Sequence, residues 1–297
     1  MIYMKRLLTA VIVALMGSAL AFAQTESERY EQRYELLVSK MGAAGVGVET
    51  VLNNWEKVDS TNAKMLLGKF TYYFTKAQTP QVVMKESRKY LGMEPILTLK
   101  DSLGRDVFYF QENVFDDELY AQAIKTADKA VALWPDRLDF RFLKANAYIA
   151  YEKESPDMAL AYLQNLVREN ASGKKAWEYD GVKVDGNFFE DAMQEYCFSF
   201  YSIGSQASRE AFRTLSEQLY SLFPDNMDFL NNIGSYYLIK QDYKTALKYY
   251  DKVLKKRKDD YTAMQNALLA SRRLKNAKLE KKYMTMMAKY GPEKDIE

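Results

Sequence analysis

Cys197 is the only cysteine of the chain and histidine is absent, and these two counts remove much of the usual chemistry. Without an imidazole there is no histidine base, proton shuttle or metal ligand. A single thiol leaves no internal disulfide. Catalysis by paired carboxylates needs two acids held across a cleft, one with a raised pKa, and 40 acidic residues supply neighbours such as Asp116 and Asp117 by chance. The stretch DGVKVDGNFFED has the outline of a calcium loop. With Gly186 as the turn glycine, however, its ligand positions fall on Gly181, Lys183 and Asp185, of which one is acidic. No phosphate loop, dinucleotide fingerprint or GxSxG elbow occurs. The expectation is no catalytic residue, no metal and no cofactor. What remains is chemistry of binding, by amides, hydroxyls, guanidinium groups and aromatic rings.

Elements must hold those groups, and composition favours helices. Apolar residues make up 48% of the 297, charged ones 28%, with 13 Gly and 6 Pro against 23 Tyr. Such a chain folds, has few tight turns and fills contacts with large amphipathic side chains. Residues 1–23 have the parts of a secretory signal: Lys5 and Arg6, an apolar run from Leu7 to Leu20, then Ala21-Phe22-Ala23. Cleavage is expected before Gln24, giving a periplasmic protein without a transmembrane span; an uncleaved anchor is the alternative. No cysteine directly follows the apolar run, which argues against a lipoprotein anchor there. Loss of Lys5 and Arg6 leaves 40 basic residues against 40 acidic ones, with no general attraction for nucleic acid or anionic membrane. The run KKRK at 255–258 is followed at once by Asp259 and Asp260 and reads as a solvated helix end.

A period organises the C-terminal half. LWPDRLDF at 133–140 and LFPDNMDF at 222–229 agree at six offsets, and Pro224 and Pro292 stand 68 residues apart with Lys258 midway. The apolar pattern predicts helices at about 227–240, 243–256, 260–273 and 277–290. Single small residues, Gly234 and Ala246, interrupt the first two, although glycine inside a helix costs about 1 kcal/mol relative to alanine. We expect both to be small so that two helices approach closely. Tyr237, Tyr243 and Tyr250 would fill the wedges on either side, with their hydroxyls at the wet edge.

Leu230, Ile233-Gly234, Tyr237, Tyr243, Ala246, Tyr250 and Val253 resemble the tetratricopeptide repeat, a helical hairpin of 34 residues. Met264, Leu268, Ala277, Met284, Met287 and Pro292 fall at equivalent places in a degenerate last unit, with Leu268 for the Gly and Glu280 for the first Ala. The resemblance implies an all-α solenoid of helical hairpins over 116–297. A helix at 116–134 closes one hairpin. A second runs from Leu138 with two extra residues in its turn, EKESPD, and a third covers 187–223. Residues 24–115 form an N-terminal region read as helical over 24–95, with Ser60-Thr61-Asn62 as possible caps and Leu67-Gly68 before Tyr72-Tyr73 resembling another first helix. Two short β-hairpin insertions are expected, at 96–110 around Asp101-Ser102-Leu103-Gly104 and near Asp180-Gly181.

In this family ligands lie along the concave face built from the first helices. Transferring that face nominates Asp139, Phe142 and Asn146, then Cys197 and Tyr201, then Asn231, Asn232, Ser235 and Ile239, then Gln265, Leu269 and Arg272. Members that clamp C-terminal carboxylates use Lys, Asn and Arg there; Asn232 fits one place, while Thr262 and Asn266 stand where basic residues belong. The expected function is that of an exported, non-enzymatic scaffold binding a protein or peptide in the cell envelope. The alternative is a glycan- or small-ligand-binding module, since Tyr and Trp55, Trp134 and Trp177 are able to stack on sugar faces.

Overall fold

The computed structural model of the chain describes residues 25–173 and 176–290; the expected signal segment and Pro292 lie outside them. Two compact units are present. One comprises residues through Thr79 together with Val114–Pro135, the other Pro80–Asn113 together with the chain from Asp136 onward.

In the first unit, α1 (Glu26–Met41) starts in a capping box made by Thr25 and Glu28. It is followed by α2 (Val48–Val58) and α3 (Ala63–Lys76). Asn62 caps α3 by accepting from the Met65 N–H at 3.1 Å. The partner of α3 is α4 (Asp117–Leu133), some forty residues later. The Asp116 N–H donates to the Ala77 carbonyl at 2.8 Å, and Phe74 packs on Tyr120. Met65, Leu66, Phe70, Ala123, Ala127 and Ala130 are buried. Helices α3 and α4 thus form a hairpin whose turn has been replaced by an excursion.

That excursion is a sheet of order β1-β3-β2, with β1 Gln78–Lys85, β2 Leu97–Lys100 and β3 Asp106–Phe115. The expected hairpin is present, with Leu97 opposite Tyr109 and Lys100 opposite Asp106. Asp101 shapes its turn by accepting from the Leu103 and Arg105 N–H groups. The helical expectation for 24–95 fails at β1, an edge strand exposed along most of its length.

The second unit continues with α5 (Leu138–Glu152), α6 (Asp157–Ala171), α7 (Gly186–Ile203) and α8 (Gln206–Leu222). The turn before α6 offers no side-chain cap at Pro156. The Glu152 carboxylate takes that place, accepting from the Met158 and Ala159 N–H groups at 2.6 and 2.9 Å. Between α6 and α7 lies a two-residue hairpin, β4 (Glu178–Tyr179) with β5 (Val182–Lys183). Its turn places Asp180 and Gly181 at φ 49° and 75°, the left-handed pair such a tight hairpin needs.

Four helices then repeat with a step of 34 residues: α9 (Met227–Ile239), α10 (Tyr243–Lys256), α11 (Tyr261–Arg273) and α12 (Ala277–Tyr290). Gln241 and Lys275, at φ 61° and 55°, turn the chain at equivalent places. Consecutive helices pack against each other around Leu230, Ile233, Ala246, Tyr250, Val253, Met264, Ala267 and Tyr283. Burying a large apolar side chain contributes roughly 1.5–3 kcal/mol.

The structure changes the account of Gly234. A Cβ there would lie 2.7 Å from Cε1 of Tyr250 and 3.0 Å from Cδ1, so the space is reserved for the Tyr250 ring rather than for backbone contact with Ala246. Tyr250 is fully buried, and its hydroxyl donates to Ser235 Oγ at 3.3 Å instead of reaching solvent. Tyr237 behaves closer to expectation, half-buried and stacked on Tyr249 at 5.5 Å. In the last unit Leu268 replaces the glycine and Met284 replaces the tyrosine. A flexible thioether tolerates a neighbouring leucine where a pinned ring would not.

Candidate functional site

Helices α7, α9 and α11 together present a recess of about 480 Å³, lined by Gln194, Asp228, Asn231, Asn232, Ser235, Arg257, Asp259, Asp260, Tyr261 and Thr262. Each wall has a local cause. Asp260 is the N-cap of α11, its Oδ1 accepting from the Ala263 N–H at 2.8 Å. Asn226, at the equivalent start of α9, accepts from the Asp228 N–H and donates to Glu190 on α7. The repeat therefore brings helix N-termini and their carboxylates to one edge.

Asp260 is also the hub of a polar network. Arg257 donates to its Oδ2 at 2.6 Å and to Oδ1 of Asp228 at 2.5 Å. Burial disfavours the charged guanidinium, but the two carboxylates outweigh this and hold the Arg257 pKa above its ordinary value. Asn231 Nδ2 donates to both oxygens of Asp260 at 3.1 and 3.2 Å. Two buried polar atoms of this network, Asn231 Oδ1 and Arg257 Nε, have no hydrogen-bond partner. One residue along, Asn232 exchanges two amide hydrogen bonds with Gln194, at 3.1 and 2.8 Å, and so ties α9 to α7.

Of the residues nominated from sequence, the recess gathers Asn231, Asn232 and Ser235. Asn146 and Gln265 are exposed on α5 and α11, away from its walls. Arg272 is exposed and paired with Glu280, Nε to Oε1 at 2.8 Å. Tyr201 is 43% exposed and stacks with Phe198, a pair on the same helix as Gln194. Phe142 packs on Tyr196 at 5.6 Å, and Asp139 accepts two hydrogen bonds from Arg137.

Cys197 does not reach a surface. It is fully buried beside Ser216, and burial pushes its thiol pKa up to about 12. The tryptophans form no sugar platform either. Trp55 and Trp177 are buried, and Trp134 donates its indole N–H to the Thr61 carbonyl. Among the described residues no group of three or more metal-binding side chains is assembled, and no helix is long and apolar enough to cross a membrane.

Gln194, Asp228 and Arg257 were not nominated from sequence. Asp228 follows the cap position of α9 and was available to the eye as the partner of Asp260 by spacing; Gln194 was not, for it lies 38 residues before Asn232, one helical turn off the repeat.

Comparison with known families agrees with the geometry. Residues 205–261, which span α8 to the first residue of α11, match the tetratricopeptide repeat family. The match supports membership of that family and suggests a scaffold for protein–protein interaction, a role typically without catalysis. A search of curated proteins finds no match.

Proposed function

We propose that the chain is an exported, non-enzymatic scaffold of the cell envelope that binds a protein partner, through an extended segment, in the recess between α7, α9 and α11. The observation that carries this reading is the polar network of Asn231, Asp260 and Arg257. Its amide and guanidinium each keep a buried hydrogen-bonding atom unpartnered, which is costly unless a ligand completes it. Peptide backbone offers both a donor and an acceptor at the required scale. Beyond Gln194 on α7, Phe198 and Tyr201 extend the surface with exposed stacked rings suited to an apolar side chain. Export is supported by residues 1–23, whose basic start, apolar run and Ala-Phe-Ala end are those of a secretory signal.

The test compares two tryptophan variants of the immobilised chain exposed to an envelope extract. Thr262→Trp fills the recess, whereas Lys248→Trp places the same ring on the exposed side of α10. A partner retained by the wild type and by Lys248→Trp but lost by Thr262→Trp supports the assignment. A partner insensitive to Thr262→Trp refutes it.

A further inference from the structure

The recess carries more carboxylate than its own architecture uses. Asp228, Asp259 and Asp260 line it against a single guanidinium, Arg257, leaving two negative charges in excess. Asp260 is consumed by the cap, by Asn231 and by Arg257. Asp228 gives Oδ1 to Arg257 while half of its side chain remains exposed, and Asp259 is exposed as well. Asn231 is 7% exposed, its Nδ2 is spent on Asp260, and its Oδ1 accepts nothing. These groups call for a ligand that donates hydrogen bonds and carries positive charge. A free carboxylate would meet Asp228 and Asp259 as like charges, with Thr262 rather than a base at the recess wall.

We propose that this recess selects a basic side chain, Arg or Lys, within the partner's bound segment; the proposal rests on the reading that the chain binds a peptide there. The cation sits between Asp228 and Asp259 and donates toward Asn231 Oδ1. The backbone carbonyl of the same residue supplies the acceptor that Arg257 Nε lacks. Selectivity then comes from a favourable charge contact for a base and repulsion for an acid at the same place.

A display library of random 12-residue peptides, selected on the full chain and in parallel on D228N/D259N, tests this. The amides keep the side-chain shapes and remove both charges. Selection on the wild type is expected to enrich Arg or Lys at one position. The best peptide should bind D228N/D259N about tenfold more weakly or worse, and its Arg→Gln or Lys→Gln version should lose a similar factor on the wild type. Thermal melting checks that the variant folds. D259N alone, at an exposed carboxylate without a structural partner, should already lose several-fold. Enrichment of neutral or acidic peptides blocked by Thr262→Trp would overturn the basic pocket and leave peptide binding standing. Enrichment of nothing on either protein would overturn both.

Discussion

Gly234→Ala is the substitution whose sign separates this packing from an ordinary amphipathic helix. Position 234 lies inside α9, where replacing glycine by alanine normally gains about 1 kcal/mol of helix stability. Here the new methyl carbon would stand 2.7, 3.0 and 3.1 Å from three ring carbons of Tyr250, well inside the 3.5–4.0 Å of a favourable carbon contact. The ring has nowhere to go: Tyr250 is fully buried and its hydroxyl is bonded to Ser235. Overpacking of this kind costs roughly 1–3 kcal/mol, so the net effect is a destabilisation of about 1 kcal/mol and a Tm lower by roughly 2–4 °C. Tyr250→Leu removes the obstruction. In that background the same Gly234→Ala change should stabilise by about 1 kcal/mol, a coupling of roughly 2 kcal/mol in a double-mutant cycle. Thermal and urea denaturation followed by circular dichroism read all four proteins. A Gly234→Ala protein that melts higher than the wild type would refute the reasoning.

Three further expectations follow from particular residues. The Cys197 thiol, with its pKa pushed up to about 12 by burial, should resist a water-soluble disulfide reagent at pH 8 and react fully once the chain is unfolded; rapid labelling of the native protein would contradict its placement. Burial raises the Glu56 pKa, but Lys129 and Lys69 outweigh it and hold the carboxylate below the ordinary value of 4.5. A folded-state pKa below the unfolded one contributes stability above that value and loses it as pH falls through the folded pKa. Glu56→Gln should therefore cost up to about 1 kcal/mol at pH 7, and its Tm should converge on that of the wild type below pH 4.5. Mass spectrometry of the protein recovered after expression in an exporting bacterial host should find Gln24 at the N-terminus; an intact residue 1 would set cleavage aside.

The repeat was legible because its information is local. Helix boundaries at 243–256 and 277–290 coincide with the structure, since apolar spacing, caps and turn residues recur every 34 positions. The purpose of Gly234 was half legible. Sequence shows that a side chain is missing, while only coordinates show that Tyr250 takes its place. Strand β1, QTPQVVMK, was missed because it is an exposed edge strand with Pro80 near its start, so neither a clean alternation nor a buried run marks it. The concave face was transferable where the step held, at Asn231, Asn232 and Ser235. It failed at α7, an 18-residue helix, where the position opposite Asn232 is Gln194 and the 34-residue step instead carries Asn231 onto buried Cys197. Charge was the remaining blind spot: overall neutrality conceals three carboxylates that fold to one edge.

The central claim, that a partner occupies the recess of α7, α9 and α11, is tested most directly by a photoreactive benzoylphenylalanine placed at residue 262 and, in a second protein, at residue 248 of the full chain in living cells. The account predicts a protein adduct from 262 and none from 248. Adducts from 248 alone would contradict it.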